Sequence, residues 1–278
     1  MQSEIEQLFD HKPATYTEEH FDLFYQFKNK LNLGEVRAAQ PDAFAKHGWR
    51  VTPWVKKGIL LGFRMGATVD MSADRARQPF FDKATYPVRQ IGERDAVRIV
   101  PGGSSIRDGC YLGKSVTCMP PMFINVGAWV DDGTMVDSHA LVGSCAQIGR
   151  RVHISAASQI GDVLEPVGAM PVIVEDDVLV GGNCGVYEGT VVKRRAVLGT
   201  GTILNRSTPV YDLVRGAIHK ATEEQPLVIP EGAVIVSGAR AITSGPGKGW
   251  GISIYTPVIV KYRDAKTDTK LQLEDLLR

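Results

Sequence analysis

The sequence lacks several features that would place the protein in a class at once. Among its 278 residues, 32 lysines and arginines are balanced by 31 aspartates and glutamates, so the basic surplus typical of nucleic-acid-binding chains is missing. No apolar run approaches the 18 or more residues of a membrane span. The mixed acidic and polar start, MQSEIEQLFDHK, argues against a secretory signal. The sequence therefore predicts a cytoplasmic protein that binds neither nucleic acid nor membrane.

Cysteine is also scarce. The chain has four cysteines, Cys110, Cys118, Cys145 and Cys184, with no CxxC spacing and no paired set of histidines. This pattern favours small buried side chains in a reducing compartment over disulfides or zinc ligands. We expect no metal site.

What the sequence does contain is a repeat of six residues. A step of six meets an apolar residue at every position, apart from one break at GDVLEPVGAMPVI, and chance agreement at this level is roughly one in a million. The seventeen positions are Val100, Ile106, Leu112, Cys118, Ile124, Val130, Val136, Val142, Ile148, Ile154, Ile160, Val174, Val180, Val186, Val192, Leu198 and Leu204.

A second, mostly small residue stands two places before most of these positions, as Ala140 does before Val142. Residues two apart on a strand share a face, so each hexad predicts a short strand with two inward side chains, followed by a turn. Such a unit cannot bury its apolar face alone, and successive coils must stack. The repeat predicts a parallel β-helix of nearly six coils, each of about 18 residues, roughly 25–30 Å tall.

The repeat divides the chain into three predicted domains. Residues 1–95 form an α-helical N-terminal domain, residues 96–240 the β-helix, and residues 241–278 a C-terminal strand and helix extension. Ser3 and Thr17 precede helical patterns and are candidate N-caps.

Two further segments carry more local predictions. WRVTPWVKKGILLGFRM is typical of a helix or a strand with one apolar face. The stretch after Leu204, NRSTPVYDLVRGAIHKATEEQP, is interpreted as a polar loop, after which Ile229 and Ile235 restore a last coil.

Motifs inside and outside the repeat resemble a known family. GTMVDSHALVGSCAQIG, VLEP, YEGTVV, VIVSG and VIVKYRDAKT, together with WVKKGILLGFR and FFDK, are similar to the tetrahydrodipicolinate N-succinyltransferases. The resemblance covers most of the chain from about Trp49 to Arg278. It implies a left-handed parallel β-helix; the spacing alone does not give the hand, because parallel crossovers are normally right-handed.

The resemblance also implies a reaction. A succinyl group would pass from succinyl-CoA to the amino group of L-2-amino-6-oxopimelate, the ring-opened form of tetrahydrodipicolinate, in the lysine/diaminopimelate pathway. The implied partners are this small dicarboxylate, the CoA thioester as co-substrate and two further copies of the chain in a homotrimer, with no tightly bound cofactor. Because segments around the break and around Glu188 depart from the family pattern, an acetyltransferase using acetyl-CoA remains the alternative.

Two carboxylates are the candidate catalytic residues. Asp137 directly follows the inward Val136 and so points outward. On position alone, Asp137 and Glu188 would be solvated turn residues. The resemblance implies instead that Asp137 binds the acceptor and orients or deprotonates its amine, and that Glu188 is the second carboxylate of the site.

The remaining candidates are binding residues. Arg98 matches the arginine with which the family holds an acceptor carboxylate, although by itself it would be a surface or interface ion pair. For the CoA thioester we expect Gly201, Ser237 and Gly238 to admit the pantetheine arm and Lys261 to meet a phosphate, although a charged C-terminal stretch is most often only solubilising.

The hexad count predicts where the two carboxylates lie. With three hexads per coil, Asp137 and Glu188 fall on different faces and about two coils apart, so they would meet only across a subunit boundary. We therefore predict a site between protomers of a C3 assembly.

One departure and three rival functions stay open. The family members have Thr-Trp after the aspartate, whereas this chain has Ser138 and His139, and His139 would either act as the general base or line the pocket. The rivals are a hexapeptide acetyltransferase acting on a sugar or serine, a γ-class carbonic anhydrase, and a non-catalytic scaffold. Only His139 and His153 fall inside the main repeat, too few for the carbonic anhydrase zinc site.

Overall fold

The structure is a computed structural model that describes residues 1–76 and 78–264. Its helices are α1 Gln2–Asp10, α2 Glu18–Leu33, α3 Pro53–Met65 and α4 Gly245–Gly249, with short 3-10 segments at Lys46–Gly48 and Glu93–Asp95. Within these described ranges, no helix combines the length and the apolar character needed to cross a membrane.

The helix starts follow the sequence signals only in part. Thr17 is the N-cap of α2, as predicted, and its backbone N–H donates to Nδ1 of His20 at 3.0 Å. The prediction for Ser3 is wrong, because α1 already begins at Gln2 and Ser3 lies inside the first turn. The segment that was interpreted as helix or strand contains both, a strand at Trp49–Val51 and then α3, which starts at Pro53 where the missing N–H costs no helical bond.

Two antiparallel strand pairs and six stacked coils follow in chain order. The pairs are β1 Ala39–Pro41 with β2 Trp49–Val51, and β3 Thr68–Asp70 with β4 Phe81–Lys83. The first five coils have three strands each: β5 Arg98–Ile99, β6 Ser105–Ile106, β7 Tyr111–Leu112; β8 Thr117–Cys118, β9 Phe123–Ile124, β10 Trp129–Val130; β11 Met135–Val136, β12 Leu141–Val142, β13 Gln147–Ile148; β14 His153–Ile154, β15 Gln159–Ile160, β16 Ile173–Val174; and β17 Leu179–Val180, β18 Gly185–Val186, β19 Val191–Val192. The sixth coil consists of β20 Val197–Leu198, β21 Ile203–Leu204 and β24 Val228–Ile229. Two further strands, β22 Val210–Asp212 and β23 Ala217–His219, lie between β21 and β24 in the chain.

Corresponding strands of successive coils pair in parallel and build three faces. We name face A the sheet of β5, β8, β11, β14, β17 and β20, face B that of β6, β9, β12, β15, β18 and β21, and face C that of β7, β10, β13, β16, β19 and β24. Trp129 pairs with Gln147, one coil of eighteen residues later, as the repeat predicts. The break is a loop of residues 161–172 between β15 and β16, and it replaces no hexad because β16 still follows in register on face C.

The inward residues of the hexads fill the prism. Sixteen of the seventeen apolar positions, from Ile106 to Leu204, belong to one buried cluster. The first position is the exception: Ile99, not Val100, pairs with Cys118. The segment VPGGS between β5 and β6 therefore has five residues, one more than the four of a regular hexad, at the end of the stack where no further coil fixes the register. All four cysteines are free and buried, as predicted.

The last coil is closed by β25 Ala233–Ala241, which pairs with β20 on face A, and by β26 Ser253–Tyr262, which pairs with β25. Ile229 and Ile235 restore the coil as predicted. The interpretation of the segment after Leu204 as a polar loop is wrong in part: β22 and β23 form a hairpin there, and β22 pairs with β26. The helix expected at the C-terminus falls on residues 265–278, outside the described residues.

The N-terminal part packs along face C and along the corner between faces B and C. The Arg37 guanidinium stacks over the Trp129 ring of face C, 3.8 Å from its centroid, and donates to Gln147 at 2.7 Å. Helix α3 runs over the corner itself: a Cβ on Gly127 would meet Ile59 at 2.5 Å, so only a glycine at this turn, with φ of +76°, lets the helix approach. This packing brings N-terminal residues beside the turns of the β-helix.

Candidate functional site

Asp137 lies at the A–B corner of the third coil, immediately after β11. Val136 points into the core, so the Asp137 side chain points outward, with 29% of its surface exposed. Its Oδ1 accepts a hydrogen bond from the backbone N–H of Ser138 at 2.7 Å, which fixes the carboxylate at the turn.

His153 was not identified from the sequence, yet its Nε2 lies 3.7 Å from Oδ2 of Asp137. His153 pairs with Met135 across one coil, and both project outward from face A. The signal was available: eighteen residues after Met135 is one full turn, so the period alone places His153 diagonal to Asp137. The neighbouring His139, by contrast, is an exposed turn residue in the left-handed conformation, with φ of 62°.

Glu188 lies at a different corner, between faces B and C, in the fifth coil. It is exposed, with φ of 54°, and its Oε2 accepts from the backbone N–H of Arg206 at 2.7 Å. We name the surrounding cavity, of about 680 Å³, the Glu188 cleft. Its lining comes from the 161–172 loop, the turn Glu188–Gly189, Arg206, the acidic segment Glu223–Gln225, and Lys46 to Trp49 of the N-terminal part.

The N-terminal contribution to this cleft was missed by sequence reasoning. Lys193 joins the two parts: its Nζ donates to the carbonyl of His47 at 2.6 Å and to Glu175 Oε1 at 2.7 Å. Trp49 donates its Nε1–H to the same Glu175 oxygen at 2.9 Å. No short motif marks the contacts of His47 with Lys193 and of Trp49 with Glu175, because each joins residues more than a hundred positions apart.

Asp137 and Glu188 do not meet within the protomer. They lie on different corners of face B and two coils apart, as the hexad count predicts. Two coils are about 10 Å along the axis and one face is about 15 Å wide, so the two carboxylates are about 15–20 Å apart. Acid–base catalysis needs groups within about 3 Å of the proton they transfer. A single protomer therefore cannot present both to one amine.

Arg98 lies on face A in the first coil, two coils from Asp137 along the same sheet. It is exposed, and within the described residues it makes no ion pair. Its guanidinium therefore remains available to a ligand carboxylate along the outer surface of face A.

Three of the four residues expected to bind CoA lie together where β25 closes the stack above the A–B corner of the sixth coil. The hydroxyl of Ser237 donates to the carbonyl oxygen of Gly201 at 2.8 Å, and Gly238 follows on β25. Gly201 has φ of +75°, which favours glycine, and a Cβ there would lie 3.7 Å from the Ser237 hydroxyl, an ordinary contact. Lys261 lies on β26 opposite Val234, three positions along β25 from Ser237, and its Nζ is 3.5 Å from Oδ1 of Asp264.

Family profiles match both the N-terminal part of the chain and the hexapeptide repeat. Residues 1–65 match the family profile described as Tetrahydrodipicolinate N-succinyltransferase N-terminal, and residues 171–206 match that described as Hexapeptide repeat of succinyl-transferase. The second match confirms the parallel β-helix predicted from the repeat, in the left-handed form that the family resemblance implied.

Curated relatives give the closer comparison. A protein of Sodalis glossinidius named 2,3,4,5-tetrahydropyridine-2,6-dicarboxylate N-succinyltransferase is 36% identical over 100% of this chain and 98% of its own length. Proteins with the same name from Rhodopseudomonas palustris and Polynucleobacter asymbioticus are 41% and 40% identical, over 92% and 89% of this chain and 89% and 86% of their own. Such identity over nearly the full length of both partners extends through the helical part, the β-helix and the closing strands. The chain belongs to the 2,3,4,5-tetrahydropyridine-2,6-dicarboxylate N-succinyltransferase family.

Proposed function

We propose that the protein transfers the succinyl group of succinyl-CoA to the amino group of L-2-amino-6-oxopimelate, in the lysine/diaminopimelate pathway of the cytoplasm. The observation that carries this proposal is the 36% identity to a succinyltransferase over the whole of this chain. The amine nitrogen attacks the thioester carbon, the tetrahedral intermediate expels the CoA thiolate, and an amide bond replaces the thioester bond. The proton lost by the amine balances the charge of the departing thiolate.

The attack requires a deprotonated amine, so a base must lie within hydrogen-bond reach of it. Asp137 is suited to this role because Ser138 holds one of its oxygens and leaves the other directed outward. His153, 3.7 Å away, is the group best placed to share or relay the proton. We assign binding of the amine to Asp137, with His153 rather than His139 as its neighbour.

The second carboxylate, Glu188, comes from a neighbouring copy of the chain. Faces A and B meet at Asp137 and faces B and C meet at Glu188, so these are two distinct surfaces of the protomer. A heterologous contact between the two, closed by threefold symmetry, produces three equivalent sites and a homotrimer. Each site would then contain Asp137 from one protomer and Glu188 from the next.

The two substrates would approach along the outer side of this corner. Arg98 is suited to a carboxylate of the acceptor by its charge and exposure on face A. Gly201, Ser237 and Gly238 lie at the same A–B corner as Asp137, three coils away, or about 14 Å along the axis. An extended pantetheine arm lying along this corner directs its thioester toward Asp137, with Lys261 near the nucleotide end. No tightly bound cofactor is needed for this chemistry.

The test is a thiol-release assay with tetrahydrodipicolinate and either succinyl-CoA or acetyl-CoA. We expect release of CoA with succinyl-CoA that depends on the acceptor. Preference for acetyl-CoA would replace the proposed donor, and inactivity with both thioesters would refute the proposed function while leaving the fold unaffected.

A further inference from the structure

Lys56 of α3 is a buried cation without a countercharge. Its side chain is fully buried, and its ammonium donates one hydrogen bond, to the carbonyl oxygen of Ala169 at 2.6 Å. Burial lowers the pKa of this group. The other buried lysine, Lys28, has a carboxylate partner, Asp108, at 2.8 Å. In the described ranges no such partner exists for Lys56.

The nearest ionisable neighbour of Lys56 does not supply the missing charge. Cys145 lies beside it at the B–C corner, and burial raises the pKa of the thiol to about 12, so the thiol is neutral. Burying a cation without a paired anion costs several kcal/mol in general. A methionine at this position would fill the space without that cost. The presence of the charged group therefore indicates a requirement for its N–H donors.

The acceptor of Lys56 belongs to the loop that lines the Glu188 cleft. Residues 161–172 are held at one end by Asp162, which accepts from the backbone N–H of Ser144, and at the other by Val172, whose carbonyl accepts from Gln147 at 2.9 Å. Between these ends, among the described residues, Lys56 makes the only side-chain hydrogen bond to the loop.

The loop in turn contacts the turn that carries Glu188, at the corner between faces B and C. A Cβ built on Gly189 would lie 2.6 Å from the carbonyl oxygen of Met170, so the backbone of residue 189 rests directly against the loop. Gly189 follows Glu188 and has φ of +72°, a conformation that glycine adopts without strain. A shift of Ala169 and Met170 is therefore passed to the backbone that carries Glu188.

We propose that Lys56 is a positioning residue for Glu188, acting through the Ala169 carbonyl and the contact of Met170 with Gly189. It touches neither substrate. Its hydrogen bond fixes the distance of the 161–172 loop from the corner between faces B and C. The position of the loop in turn sets the direction of the Glu188 carboxylate. This role rests on the proposed function of Glu188 in succinyl transfer.

The test compares Lys56→Met with two control variants of the same helix. Lys57→Met removes a partly exposed lysine that pairs with Asp10, and Ile59→Val loosens the α3 packing without removing the hydrogen bond to the loop. We expect kcat of Lys56→Met to fall roughly tenfold with KM changed less than about twofold, since small misplacements of a catalytic group cost rate rather than affinity. Both controls should retain kcat, although Ile59→Val lowers the unfolding temperature.

Two further readouts separate positioning from loss of stability. In a Glu188→Asp background, which keeps a carboxylate but already displaces it, Lys56→Met should lower kcat by much less than tenfold, because residues acting through one group are not additive. Amide hydrogen exchange of residues 163–172 should accelerate in Lys56→Met and stay unchanged in Lys57→Met. Should Lys56→Met fail to fold, Lys56→Gln replaces it, because its shorter amide does not reach Ala169.

The outcomes are distinct. Unchanged kcat in Lys56→Met, an equal loss in Ile59→Val, or an additive loss in the Glu188→Asp background would each overturn the inference. Absence of succinyl transfer by the unmodified protein would instead refute the proposed function, and the exchange measurement would still report whether Lys56 holds the loop.

Discussion

Mixing two inactive variants tests whether Asp137 and Glu188 act together across a protomer boundary. Within one chain the two carboxylates lie at different corners and about 15–20 Å apart, too far to serve one amine. Asp137→Asn and Glu188→Gln should each be inactive as homotrimers. A mixed trimer, however, contains sites in which an intact Asp137 faces an intact Glu188 from the next protomer.

The recovered activity can be calculated. At equal mixing, half of the protomers carry an intact Asp137, and half of their neighbours carry an intact Glu188, so about one quarter of the sites are restored. The two variants, distinguished by different affinity tags, are denatured together, refolded and assayed for acceptor-dependent thiol release. Activity should follow the product of the two fractions and reach its maximum at equal mixing.

The control and the contrary result are equally definite. Each variant refolded alone should stay inactive, and retention of both tags on one column establishes that mixed trimers formed. If mixed trimers form without recovery of activity, the two carboxylates do not share a site across the boundary. A protein that is active as a single protomer would refute the reasoning in the same way.

Three further predictions concern stability. Ile154→Ala empties a fully buried position in the fourth coil and should lower the free energy of unfolding in guanidinium titrations by about 3–4 kcal/mol. Gly185→Ala places a Cβ in steric conflict with the Tyr187 ring and should cost about 1–3 kcal/mol, a loss that Tyr187→Ala in the same chain relieves. Burial alone would raise the pKa of Asp212, but hydrogen bonds, including one of 2.6 Å from the Tyr262 hydroxyl, outweigh it and lower that pKa. The stability that Asp212 contributes is present above its unfolded pKa of about 3.9 and is lost as pH falls through the lower folded value, so Tyr262→Phe should unfold at a higher pH on acid titration followed by circular dichroism.

The six-residue period predicted the architecture well because it is a local property of the chain. Each hexad carries its own inward residue and its own turn, so the strand, the face and the coil follow from counting. The count also predicted that Asp137 and Glu188 lie on different faces, about two coils apart. It went wrong by one residue at Val100, where the stack ends and no preceding coil imposes the register on the chain.

Pairings between distant segments were not predictable in this way. The hairpin of β22 and β23 was interpreted as a polar loop, because its pairing with β26 lies nearly fifty residues further on. The contact between Lys56 and Ala169 spans more than a hundred residues, and neither residue belongs to a recognisable motif. His153 is an intermediate case. Its position beside Asp137 follows from the period, because one coil separates it from Met135.

The sequence by itself determined the β-helix, its faces and the outward direction of Asp137, because the side-chain alternation of a strand and the length of a coil are set by neighbouring residues. Only the tertiary structure decided which N-terminal residues cover the corner between faces B and C, and which loop supports Glu188. Those contacts depend on how α3 packs against glycine and cysteine turns of separate coils. Such packing depends on the complementary shapes of two surfaces, and these surfaces form only after both segments have folded.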